Sequence, residues 1–171
     1  GDGSMTKILH CGKAAMNGVM AALLASYGFT GASRIIEGPR GFLRATSKAP
    51  SLEPFEDLGK RFAILETAFK PYASCRHTHS FVDAIIRIRN RFEGALPSIR
   101  KIMIETYPTA LNVAGANRYD TPAKAKFNMR YCAARALLDG SLGVRGFAAN
   151  GLKDPAIASL VEKIQVSVNP D

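Results

Sequence analysis

Residues His10 to Tyr27 read as one helix stopped by Gly28, which takes up the left-handed terminating conformation without strain. Ala14, Ala15, Gly18, Ala21, Ala22 and Ala25 spread small side chains around much of its circumference, and Val19, Met20, Leu23 and Leu24 add apolar bulk. A helix that is apolar nearly all round must be enclosed by other helices, and small side chains let those neighbours come close. The rest of the chain offers no obvious candidates, so the helix reads as one whose packing partners lie elsewhere. The opening Gly1-Asp2-Gly3-Ser4-Met5 fits a chain that starts inside a longer protein. An expression scar before a start at Met5 is the competing reading.

With 171 residues the chain can hold one domain with a core, or a small domain with appendages. Its 47% hydrophobic and 22% charged residues are those of a soluble globular protein. Neither a basic-then-apolar leader nor an apolar run of membrane-spanning length is expected. Cys11, Cys75 and Cys132 are odd in number, far apart and without CxxC spacing, which points to a reduced intracellular compartment. The net charge of +9 admits nucleic-acid binding or attraction of small polyanions into a cleft. No RNA-binding aromatic signature or zinc-finger spacing accompanies the charge. On a helix, Arg87, Arg89 and Arg91 would fan over different faces, so nucleic acid is the minor reading.

Along the chain, Thr30 to Gly41 is glycine-rich and turn-forming, with Arg34 to Glu37 as a short strand or helical turn. Ala49 to Gly59 reads as a surface connection in which Glu56 to Lys60 has room for one helical turn. Beyond Arg61 the pattern alternates between strands and helices. Ala63 to Phe69 is expected as a strand, and Thr78 to Phe92 as a helix with Phe81, Ile85, Ile88 and Phe92 along its apolar side. A turn follows at Gly94 to Pro97, then a strand with one apolar face at Ile99 to Thr106. Tyr107 to Thr121 looks polar and irregular, and Lys124 to Asn128 like a third short strand. Arg130 to Leu138 is helical and ends before Gly140. Pro155, at a first helical position after Asp154, opens a helix to Lys163, and Ile164 to Val168 closes as a strand. The order predicts a small α+β sandwich, a sheet with helices on one face.

Two segments carry chemistry. In Ser74-Cys75-Arg76-His77-Thr78-His79 a helix start offers unpaired N–H groups and positive partial charge. Arg76 can fork onto a carboxylate, and His77 or His79 supplies a group that titrates near neutrality. The same spacing also fits a structural role, with Ser74 capping the helix and the histidines making fixed hydrogen bonds. A metal reading of Cys75, His77 and His79 is weak, because residues two apart on a helix do not share a face. Lys7 and His10 precede the first helix, where a lysine neutralises substrate charge or, if desolvated, moves a proton. An exposed lysine and a capping histidine fit equally.

Taken in order, the motifs are more specific than either segment. Lys7, His10, Gly12, Ala14-Ala15, Gly18 and Ala21-Ala22 are followed by Gly28 to Gly31, and then by Glu37-Gly38, Gly41 and Phe42. Ala68 to Tyr72, Cys75, His79, Asp83-Ala84 and the run from Ala125 and Phe127 through Tyr131, Ala133, Ala136-Leu137 to Gly140 continue the series. This order closely resembles the MmgE/PrpD family over nearly the whole chain.

The resemblance implies a cofactor-free homodimer of the cytoplasm, without nucleic-acid or membrane partners. It implies an all-helical domain and an α+β lid domain with the active site between them. On that reading residues 1–45 are a fragment of the helical domain, residues 46–171 are the lid, and the N-terminal helical portion is missing. The family includes 2-methylcitrate dehydratase, cis-aconitate decarboxylase and iminodisuccinate epimerase, so a lyase or isomerase acting beside a carboxylate of a small di- or tricarboxylate is expected. The alternative is a non-catalytic anion-binding or dimerisation module. Lys7, His10 and His79 are the implied catalytic residues; Lys70, Cys75, Arg76 and His77 are the implied substrate-binding ones, with no metal. Cys75 is expected as a neutral pocket wall, and stands where the decarboxylase branch has a histidine. The dehydratase branch also differs around Cys75 to His77, and Asn128 replaces a common serine. The fragment alone is not expected to be active.

Overall fold

A computed structural model describes residues 4–92 and 98–169. Contacts within it define two compact units, one holding Thr6–Phe69 and the other Lys70–Asp171. Residues 46–69 thus cluster with the first unit. The turn expected at Gly94 to Pro97 lies outside the described residues.

The first unit opens with helix α1, Thr6–Ser26. It starts earlier than its apolar pattern predicts, so Lys7 and His10 lie within the helix rather than ahead of it. Gly28 ends it at a φ of 85°, and the N–H groups of Tyr27, Gly28 and Phe29 take up carbonyls of the last turn. No residue of α1 is buried, and Ile8, Leu9, Met16, Val19, Met20, Leu23 and Leu24 are each more than 40% exposed. The expectation of no membrane-length segment needs correction. Although Lys7 and Lys13 interrupt the apolar run, the 21-residue helix is long and apolar enough to cross a membrane by length and composition. A core helix or a signal sequence has the same length and composition.

The glycine-rich stretch folds into a compact turn. Gly38 N–H donates to the Arg34 carbonyl at 3.0 Å, and Phe42 N–H to that of Ile35 at 2.7 Å. A side chain on Gly41 would meet the Ile35 carbonyl oxygen at 2.6 Å, so only glycine lets the backbones approach. Helix α2, Phe42–Thr46, follows. The strand expected at Ala63 to Phe69 is absent; Ala63–Glu66 is a 3-10 turn. Arg61 and Glu66 form an ion pair across that turn, and a strand there would have no partner to pair with.

In the second unit, α3 (His79–Arg89) grows out of a 3-10 turn at Arg76–Thr78. Strand β1 (Ile102–Thr106) is followed by α4 (Pro108–Ala114), α5 (Pro122–Ala125), α6 (Met129–Asp139), α7 (Pro155–Glu162) and strand β2 (Ile164–Val168). The strands pair in parallel with Ile104 opposite Val166, and Ile104 and Ile164 point into the core. Helices with a small sheet make the chain α+β, but among the described residues the sheet has two strands rather than the several expected.

Two segments folded against expectation. Pro108 at the first helical position starts α4 in the stretch read as irregular, and Ala110 and Ala114 are fully buried. Lys124 to Asn128 is not a strand. The Thr121 hydroxyl caps α5 by accepting from Lys124 N–H at 3.2 Å, and only an isolated bridge joins Asn128 to Gly115.

The core is built around α6. Tyr131, Cys132, Ala133, Ala134 and Ala136 are all fully buried, and the alanines let α3, α7 and β2 pack against the helix. Asn128 starts α6, its Oδ1 accepting from Tyr131 N–H at 2.7 Å, while its Nδ2 donates to the Ala116 carbonyl at 2.5 Å. A serine there would keep the cap and lose the tie to residue 116. Gly140 ends α6 at a φ of 66°, and the Arg89 guanidinium donates to the Leu137 carbonyl at 2.8 Å. A Cβ on Gly140 would sit 2.8 Å from that guanidinium. The apolar side of α3 follows the expected line in its first half only: Ile85 is buried with Val82 and Phe81 packs against the core, whereas Ile88 and Phe92 are about half exposed. Arg87 pairs with Asp83 at 2.8 Å, so it and Arg89 serve different faces, as expected.

Candidate functional site

The segment from Lys70 to His79 is pinned to the second unit by its backbone. Ala73 N–H donates to the Leu142 carbonyl at 3.1 Å and Cys75 N–H to that of Lys126 at 2.8 Å. Thr78 Oγ1 donates to the Cys75 carbonyl at 2.8 Å, so the 2.7 Å contact between Ser74 and Thr78 has the Ser74 hydroxyl donating. Ser74 thus braces the turn instead of capping α3, whose first turn has no side-chain cap.

His79 is 8% exposed at the start of α3. Its Nε2 lies 3.4 Å from the Ser74 carbonyl oxygen, which can only accept, so Nε2 carries the proton. Nδ1 is then a bare acceptor, buried and without a hydrogen-bond partner among the described residues. The Tyr72 ring meets the imidazole edge-on, with centroids 5.3 Å apart, and the Tyr72 hydroxyl donates to Asp83 Oδ1 at 3.1 Å. Burial and that carboxylate push the Tyr72 phenol up. Burial, with the charges of Arg76 and Lys70, holds His79 below the usual histidine value of 6.5.

Lys70 and Arg76 are exposed; Lys70 Nζ reaches the Ser74 carbonyl at 3.4 Å. Neither has a carboxylate partner among the described residues. Two uncompensated cations beside a neutral imidazole form an anion-receptive surface with a titratable nitrogen behind it. Cys75 is buried, and Cys132 is held as a thiol by burial, its pKa pushed up to about 12. His77 is partly exposed, and its Nδ1 is hydrogen-bonded to the Tyr107 hydroxyl. The structure therefore brings Lys70, Cys75, Arg76, His77 and His79 onto one braced turn. Lys7 and His10 are exposed on α1 in the other unit.

The second unit also carries an open recess of about 500 Å3 lined by Arg118, Tyr119, Asp120, Pro122, Leu152 and Lys153 among others. None of the seven predicted site residues lines it. The recess and the candidate turn are in different places.

The neutral state of His79 has a pH signature. Its folded pKa lies below its unfolded value, so the unfolded chain binds the extra proton first. Stability is full above pH ~6.5 and falls as pH drops below it. Denaturant unfolding from pH 8 to 5 is expected to show this loss, and His79→Gln to remove most of it. An equal slope in the variant would mean that folding does not lower the His79 pKa.

Two family descriptions match the chain, the MmgE/PrpD N-terminal domain over residues 1–54 and the MmgE/PrpD C-terminal domain over residues 72–171. The mouse cis-aconitate decarboxylase is 30% identical over 98% of this chain and 36% of its own length. The human enzyme is 27% identical over the same shares, and a cis-aconitate decarboxylase-like protein, oryM of Aspergillus oryzae, is 24% identical over 95% of this chain and 37% of its own. The chain belongs to the MmgE/PrpD family, as its motif order predicts. It spans little more than a third of the length of these curated relatives.

Proposed function

We propose that this chain is part of a lyase acting beside a carboxylate of a small di- or tricarboxylate. The observation that carries the reading is the pair of uncompensated cations, Lys70 and Arg76, flanking a neutral, buried His79. A polycarboxylate needs cations to hold it, and a carbanion forming next to a carboxylate needs that charge most in the transition state. In a dehydration, a base takes the proton on the carbon beside the carboxylate, the electron pair forms the double bond, and hydroxide leaves with a proton as water. Loss of CO2 and reprotonation on the opposite face place the same demands on the protein.

Arg76 and Lys7 bind carboxylates in this account, and Lys70 supplies a second electrostatic contact. His79 or His10 orients or moves the proton, and Cys75 is a neutral wall. Kinship with cis-aconitate decarboxylases supports loss of CO2 as the first reaction to test. Cys75 sets the sequence apart from that branch, so 2-methylcitrate dehydration and iminodisuccinate epimerisation belong in the same test. The exposed apolar surface of α1 supports a partner: the remaining helices of an MmgE/PrpD helical domain. A cytoplasmic homodimer completes the reading. The experiment is turnover of cis-aconitate, 2-methylcitrate and iminodisuccinate by a full-length MmgE/PrpD polypeptide containing this sequence. Turnover of one supports the proposal, and turnover of none, by a folded protein, rejects it.

A further inference from the structure

Tyr107 lies in the sequence between strand β1 and helix α4, far from the segment that carries the predicted chemistry. The fold closes that gap. β1 delivers Tyr107 in extended conformation, φ −93° and ψ 159°, to the N-terminal end of α4, and Pro108 fixes the chain beyond it. The 3-10 turn at Arg76–Thr78 packs against α4. As a result the Tyr107 hydroxyl is hydrogen-bonded to His77 Nδ1. The two rings meet edge to face with centroids 5.5 Å apart and an interplanar angle of 73°.

The direction of that bond follows from donor and acceptor strength. A phenol O–H is a better donor than an imidazole N–H, and an imidazole nitrogen is a better acceptor than a phenol oxygen. Tyr107 therefore donates, His77 Nδ1 accepts, and the His77 proton sits on Nε2. The ring contact sets the plane of the imidazole while the hydrogen bond sets its tautomer. His77 then presents a fixed N–H, next in sequence to the uncompensated guanidinium of Arg76. His79 is locked in the same Nε2–H tautomer by a different partner, the Ser74 carbonyl, but its free nitrogen is buried. The two histidines are thus differentiated by their second contacts: a phenol holds the partly exposed one and a backbone carbonyl the buried one.

We propose that Tyr107 is a positioning residue that holds His77 as a carboxylate-binding N–H donor, an inference that rests on the polycarboxylate reading above. With Arg76 and Lys70 it makes the turn a three-donor cradle suited to a ligand with more than one carboxylate.

The test is Tyr107→Phe, which keeps the ring and removes only the hydroxyl. Tyr107 is 53% exposed, so the variant is expected to fold as the parent does, with circular dichroism as the check. Long-range proton–nitrogen NMR of the imidazoles is expected to show His77 as the Nε2–H tautomer in the parent and a mixture of tautomers in the variant. His10 and His79 should stay unchanged as internal controls. Affinity of the full-length protein for propane-1,2,3-tricarboxylate, a polycarboxylate it cannot dehydrate, is expected to fall about tenfold. An unchanged His77 tautomer, or a changed tautomer with unchanged affinity, overturns the proposal. A parent that binds the tricarboxylate but turns over none of the three substrates would reject the lyase reading and leave the role of Tyr107 standing.

Discussion

Replacing Tyr131 by alanine is expected to destabilise the second unit by about 4 kcal/mol, the cost of emptying a fully buried aromatic site. Tyr131 is the largest fully buried side chain of α6. Its ring lies 5.1 Å from that of Tyr119 and 5.8 Å from that of Phe147, and its hydroxyl donates to the Gly146 carbonyl at 2.5 Å. Burial raises the phenol to about 12, so it stays a neutral donor throughout the useful pH range. Folded domains are stable by only about 5–15 kcal/mol. For a unit of this size the loss is therefore worth roughly 20 °C in the thermal midpoint. Tyr131→Phe removes only the hydroxyl and leaves the Gly146 carbonyl short of a donor, at a cost of about 1–2 kcal/mol. Thermal and denaturant unfolding of the chain separate the two effects. A Tyr131→Ala midpoint within a few degrees of the parent would mean that α6 is not the centre of the core.

The second large effect concerns ligand binding rather than stability. Arg76→Gln and Lys70→Gln each remove an exposed cation without a carboxylate partner among the described residues, so folding should be almost unchanged. A charge-assisted contact to a carboxylate is worth about 1.5–3 kcal/mol, roughly ten- to a hundredfold in affinity or rate. Arg76 is expected to lie at the upper end, because its guanidinium offers a two-point fork that lysine lacks. If the charge acts mainly on a developing carbanion, kcat falls with kcat/KM. If it acts equally on the ground state, KM alone rises.

Much of the secondary structure was legible wherever a local signal was also the final one. Gly28 and Gly140 take up the positive φ that ends their helices, Asp154 and Pro155 open α7, and the alternation at Ile102 to Thr106 marks a strand with Ile104 inward. The fold departs from the pattern where a local device competes with it. The apolar residues of Ala63 to Phe69 resemble a strand, but among the described residues no neighbouring strand pairs with them, and Phe69 is 98% exposed. Thr121-Pro122 outweighs the alternation at Lys124 to Asn128, since a cap and a proline at the first helical position start a turn of helix. The burial of Val82 and the exposure of Ile88 on α3 are not readable from its own spacing, because what covers the helix is the alanine surface of α6, about fifty residues further on.

The site was legible as a segment and not as an arrangement. Lysine, arginine and histidine near a helix start mark Lys70 to His79, whereas Tyr107 lies thirty residues from His77 in a stretch that reads as irregular chain. The available signal was a tyrosine directly before a proline at the end of a predicted strand, a place where the backbone is extended and a side chain can be held outward. Likewise, nothing in the spacing of His77 and His79 tells that one imidazole is partly exposed and bonded to a phenol while the other is buried against a carbonyl. That difference comes from packing.

The most direct measurement compares kcat/KM of the full-length protein with that of its Lys70→Gln, Arg76→Gln double variant on cis-aconitate, 2-methylcitrate and iminodisuccinate. The account predicts turnover of at least one substrate by the parent, and a loss of about a thousandfold in a variant with the same thermal midpoint. An equally stable double variant that retains the parent's kcat/KM within about threefold would contradict it.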